Sequence, residues 1–209
     1  MRKEVQIEVR SDTEARITGY VNATEKLSRP VATPHGKVLE VIEPRAFGEA
    51  IAAGYESITL NVDHDKGSVY ARTSDGTLTL TEDAIGLHAD VLIRDPTLIT
   101  LAREGKIRGW SFGMYNVRDE LEQRADALPI RHVKGMDLDH VSLIINQTPV
   151  YSATSVEVRA DADVWTEVRS LEDSAQVTDK TPREDPKPAY DNAIYHNRAD
   201  ALAQKGRLL

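Results

Sequence analysis

Short runs in which apolar and polar side chains alternate recur along this chain, and they restrict it to a fold built on sheets buried on one face. Val5 to Val9 alternates, and Ala15 to Val21 repeats the pattern, so an antiparallel opening is expected. Asn22 to Lys37, with Ser28, Pro30, Pro34 and Gly36, has loop chemistry and leads into a strand over Val38 to Ile42. Ser57 to Asp65 alternates so that Ile58, Leu60, Val62 and His64 share one face. Thr77 to Thr81 and Leu87 to Ile93 read as a hairpin whose connection ends on Gly86, and Asp137 to Ile145 is the last strong strand.

Helical signals are fewer. Glu43-Pro44-Arg45-Ala46-Phe47 followed by Ala50, Ile51 and Ala52 predicts a short helix ending at Gly54. Asp95-Pro96-Thr97 opens a second one through Leu98, Ile99, Leu101 and Ala102, closed by Gly105. Asp119 to Gly135 is charged and poorly periodic, so a mobile connection is expected there, with a strand re-forming near Ile130 to Lys134. After Val158 the composition turns to acidic residues, Ser and Thr, then Thr181 to Pro188 with its prolines. This divides the chain into a domain over 1–158 and a flexible tail over 159–209, with a short helix expected between Tyr190 and Leu209.

Composition narrows the chemistry. At 209 residues the chain can hold one sizeable core plus a tail. A net charge of -8 argues against a nucleic-acid partner, whose phosphates would repel it. The absence of cysteine excludes disulfides and thiolate chemistry and fits a reducing compartment. Met1 to Val5 lacks the apolar run of a signal peptide, and no stretch has the apolar length of a membrane span, so a soluble intracellular protein is expected.

Within the run Lys106-Ile107-Arg108-Gly109-Trp110-Ser111-Phe112-Gly113-Met114, Ser111 stands among large apolar residues with a glycine close on either side. A half-buried strand serine bonded to backbone accounts for it, and so does a nucleophile to which Gly109 and Gly113 let a substrate backbone approach. The second reading needs a base. His64 ends one apolar row, and His140, in line with Leu138, Ser142 and Ile144, sits in another; each is equally compatible with a satisfied histidine at the core edge. Asp63, His64 and Asp65 offer metal-ligand atoms, but neighbours on a strand point to opposite faces, so no metal or cofactor is expected.

The order of these residues is informative. Ile17-Thr18-Gly19-Tyr20, Glu43 to Phe47, Val62-Asp63-His64-Asp65, Gly76 to Leu87, Ile107 to Met114 and Leu138-Asp139-His140-Val141-Ser142-Leu143 follow one another as landmarks do in a known family. The chain resembles the prohead (capsid maturation) serine proteases of HK97-type tailed phages, which are related to the herpesvirus assemblins. The resemblance implies a mainly β fold with peripheral helices, a mostly antiparallel closed β-barrel. It implies Ser111 as nucleophile, His64 as general base and His140 as third member, with Asp139 the next candidate for the third place. Phage members mostly carry a glutamate before Val-Ser-Leu, so His140 is similar instead to the Ser-His-His set of the herpesvirus enzymes. Their paired arginines are replaced here by Asn146-Gln147-Thr148-Pro149.

By the same resemblance the protein would be an endopeptidase acting inside the immature procapsid in the host cytoplasm. Its partners would be the major capsid protein, with its scaffold segment, and the protease itself as substrate. No membrane partner is implied, and a homodimer is compatible. The tail would be self-cleaved or would dock the enzyme on the shell. The alternative is an inactive assembly factor on the same scaffold. A third class, a metal-dependent hydrolase using Asp63, His64 and His140, would be sensitive to chelators.

Overall fold

The computed structural model describes residues 4–33, 36–53, 57–145, 156–158, 165–172 and 174–182. The chain opens with β1 (Glu4–Val9) and β2 (Ala15–Ala23), which pair antiparallel as the alternation predicts. Then come β3 (Val31–Thr33), inside the expected loop, β4 (Gly36–Ile42), α1 (Ala46–Ala53), β5 (Thr59–Val62) and β6 (Ala71–Arg72). The hairpin β7 (Leu78–Glu82) and β8 (Gly86–Ile93) precedes α2 (Pro96–Arg103). Gly86 has φ 148°, and a Cβ there would lie 2.3 Å from the Asn22 carbonyl oxygen, so the turn admits only glycine. The rest is β9 (Gly109–Glu122), β10 (Ile130–Ile144), β11 (Val156–Val158), β12 (Trp165–Glu172) and β13 (Ser174–Asp179).

These strands form two sheets. One runs β13-β1-β2-β8-β7, and the other β11-β12-β9-β10-β4-β3, with β5 also on β10 and β6 on β5. The expected closed, mostly antiparallel barrel is not formed: both sheets are open and mixed. Parallel pairs occur at β1 with β13 and along β10, whose first half pairs with β4 and second half with β5. Helix α1 makes that crossover from β4 to β5. One-faced alternation serves an open pair of packed sheets as well as a barrel, since both bury one face of each strand. The sheets meet where Trp110 of β9 lies against Gly19 of β2, whose hypothetical Cβ would fall 2.7 Å from the indole Nε1.

The core joins both sheets and both helices through Ile17, Phe47, Val91, Leu98, Ile99, Trp110, Phe112 and Val141. Phe47 meets Phe112 edge to face at 5.2 Å, fixing α1 against β9. The N-terminal end of α1 is held by Glu82 of β7, whose carboxylate accepts from the backbone N–H of Arg45 and of Gly48. Asp95 caps α2, accepting from Leu98 N at 2.8 Å. The stretch expected as a mobile connection is the body of a hairpin, with β9 running on to Glu122 and β10 starting at Ile130. β12 and β13 lie within the stretch read as a tail; the short helix expected after Tyr190 falls outside the described residues.

Candidate active site

β9 is buried on both faces from Gly109 to Met114; beyond, one face is half-buried and the other exposed. Ser111 lies opposite Ser142 of β10 on one side and Ser170 of β12 on the other. Opposed residues share a face, so Asn61 of β5, Ser142 and Ser111 form a row across three strands, and Thr59, His140 and Gly113 form the next. The side chains of Asn61, Ser142 and Ser111 are all buried.

His64 reaches this face by a turn that alternation does not anticipate. β5 stops at Val62, and Asp63 and His64 then take positive φ values of 46° and 63°. Three bonds fix the turn: Asp63 N donates to Leu143 O at 2.9 Å, His64 N to Ser142 Oγ at 3.0 Å, and Ile145 N to Asp63 Oδ1 at 2.8 Å. His64 therefore leaves the row of Ile58, Leu60 and Val62 in which alternation placed it. Its Nδ1 lies 2.8 Å from His140 Nε2.

His140 is likewise set by an irregularity. Between Leu138, opposite Met114, and His140, opposite Gly113, Asp139 has no partner on β9. This bulge puts His140 on the other face from Leu138, while leaving it with Ser142. It also frees Asp139, whose Oδ2 accepts from His140 Nδ1 at 2.8 Å and from Lys66 Nζ at 2.6 Å. Gly113 is needed for the ring: a Cβ there would stand 2.4 Å from His140 Cε1. The space beside Gly113 on this face thus belongs to His140, where the sequence suggested room for a substrate.

The Asp139 carboxylate orders the histidine pair. Burial alone would raise the Asp139 carboxyl, but hydrogen bonds from His140 and Lys66 outweigh it and hold the group well below the usual range. The Asp139 carboxylate keeps a proton on His140 Nδ1; with the His140 ring neutral, its Nε2 accepts from His64 Nδ1–H, and His64 Nε2 is left as a lone pair. That nitrogen is buried with no hydrogen-bond partner among the described residues. Burial pushes the His64 imidazole down to about 4, with His140 and Lys66 adding to the effect and Asp63 opposing it. A neutral imidazole, oriented through Nδ1 and open at Nε2, can take a proton from a hydroxyl. The Ser111 hydroxyl itself donates to Arg169 O of β12 at 2.7 Å.

The structure thus brings His64 and His140 into direct contact and puts Ser111 one strand away, in the row of the Ser142 that holds the His64 backbone. Asp139, Lys66 and Ser142 complete the arrangement. Asp139 had a signal in the sequence, its adjacency to His140; Lys66 had none, since its partner lies far along the chain. Comparison with curated proteins and comparison with solved structures each returned no match. The model of one family, described as caudovirus prohead serine protease, matches residues 3–166. With that match spanning most of its length, the chain belongs to the caudovirus prohead serine protease family.

Proposed function

We propose that this protein is the endopeptidase that cuts the scaffold segment of the major capsid protein, and itself, as the procapsid matures. The observation carrying the reading is the relay Asp139, His140, His64, which ends in an Nε2 without a partner among the described residues, on the Ser111 face. In this mechanism Ser111 Oγ attacks the carbonyl carbon of the scissile peptide while His64 Nε2 takes its proton. The C–N bond breaks as that proton passes to the leaving amine, and water releases the acyl group by the same steps. His140 fixes the His64 tautomer. A neutral His140 alone could add little charge stabilisation, but the Asp139 carboxylate behind it offsets the positive charge that forms on the histidine pair.

A buried site of this kind turns over slowly. Enclosure with the substrate inside a procapsid compensates, because the effective concentration there is high. Co-expression with the cognate capsid protein tests the reading. Wild type should shorten the capsid protein and lose mass from its own chain after residue 158, and Ser111→Ala should do neither. Full processing by Ser111→Ala would sink the assignment.

A further inference from the structure

Beside Ser111, where a substrate would lie, the chain has laid a strand of its own. β12 pairs antiparallel with β9, Arg169 opposite Phe112 and Ser170 opposite Ser111. An extended segment bonded along the strand that carries a nucleophile is how a sheet takes up a peptide. The pose is not a reactive one. The single hydroxyl proton of Ser111 goes to the carbonyl oxygen of Arg169 and not to His64, so the nucleophile stays unactivated.

The side chain of that same residue is held with unusual care. Arg169 is 7% exposed, and its Nε and Nη2 donate to Glu40 Oε1 and Oε2 at 2.6 and 2.7 Å, a two-pronged pair. Glu40, 3% exposed, faces inward from β4 between Val38 and Ile42. It also accepts from Arg131 Nη1 at 3.2 Å, and Arg131 Nε pairs with Asp119. Across these groups the charges cancel. Without Arg169, the three that belong to β4, β9 and β10 leave one buried negative charge, which a guanidinium neutralises while meeting both carboxylate oxygens.

We propose that Glu40 determines specificity: it selects an arginine at the substrate residue whose carbonyl is presented to Ser111, and Arg169 fills this pocket in the resting chain. The word substrate rests on Ser111 being the nucleophile; the pocket can be tested without catalysis. The probe is a labelled octapeptide with the β12 sequence, Trp-Thr-Glu-Val-Arg-Ser-Leu-Glu, and a second copy with alanine in place of the arginine. In the full chain carrying Ser111→Ala and Arg169→Ala, fluorescence anisotropy should show the arginine peptide binding at least about tenfold tighter. Adding Glu40→Gln should abolish the preference. Equal affinities, or no binding of the arginine peptide, would overturn the proposal.

Should Arg169→Ala not fold, the full chain with Ser111→Ala alone gives the answer. Excess arginine peptide should speed hydrogen exchange over 165–172 by displacing β12, and the alanine peptide should not; identical exchange with both would overturn the pocket. Labelling of Ser111 by a serine-directed phosphonate, read by mass in Arg169→Ala, reports separately on the nucleophile. Labelling without peptide preference overturns Glu40 alone, and preference without labelling supports the pocket while overturning Ser111.

Discussion

His64 is held neutral by its surroundings, and two measurable consequences follow. An ordinary histidine base would lose activity below about pH 6.5. With the imidazole pushed down to about 4, peptide cleavage should persist well below pH 6 and fall only near pH 4. Loss of activity at pH 6 to 7 would contradict this. Stability moves in the matching direction. Between those two values the unfolded chain binds a proton that the folded one refuses, so stability present above about pH 6.5 is lost as pH falls towards 4, by up to about 3 kcal/mol. Asp139→Asn should lower kcat at unchanged KM, by less than the roughly 10⁴-fold expected when a carboxylate bonded directly to the base is amidated. An unaltered kcat would remove Asp139 from the relay. Sequence alone singles out both histidines but not how they meet, because the turn at Asp63–His64 and the bulge at Asp139 each reverse the face that strict alternation assigns.

At the scale of elements, the β9–β10 hairpin positions the site, and Gly113 is its closest tolerance. Gly113→Ala would drive a methyl into the His140 ring, so a loss of roughly 1 to 3 kcal/mol in denaturant midpoint analysis is expected, together with loss of cleavage. Retention of both properties would show that the ring can move aside. The outer half of this hairpin was illegible because charges stand where an alternating strand would show apolar residues. Tyr115, Val117 and Leu121 share a face with Asp119, and that aspartate pairs with the buried Arg131. Glu40 interrupts Val38 and Ile42 in the same way. In both strands the residue that spoils the pattern belongs to the buried ion network, so a charge at an inward position was itself the signal. The two helices and the β7–β8 hairpin were read correctly because Pro44, Asp95-Pro96 and Gly86 are local signals, although the cap of α1, Glu82, comes from a distant strand.

For the molecule as a whole, β13 ties the far part of the chain to its beginning. It pairs parallel with β1 along Glu4 to Val9; Ala175 and Val177 pack on the core, and Lys180 N donates to Val9 O at 2.7 Å. Arg103 of α2 joins Asp12 and Asp179 across the same edge. A chain ending at residue 173 should lose on the order of 3 kcal/mol and melt roughly 10 °C lower, measured by calorimetry. An unchanged Tm would mean that β13 adds no stability. Composition concealed these strands, since polar residues dominate 159–182 and their pairing partners lie far away in sequence. The open, mixed sheets were hidden for a related reason: which strands become neighbours is decided by long-range pairing, of which a one-faced pattern carries no record.

The pairing of β1 with β13 also sets an order of events at the ribosome. β1 is made first and its partner on that side among the last described strands, so the first sheet lacks an edge strand until synthesis has passed residue 179. By then β12 has already been made. A newly made chain therefore completes its first sheet only after the strand that covers Ser111 has been synthesised.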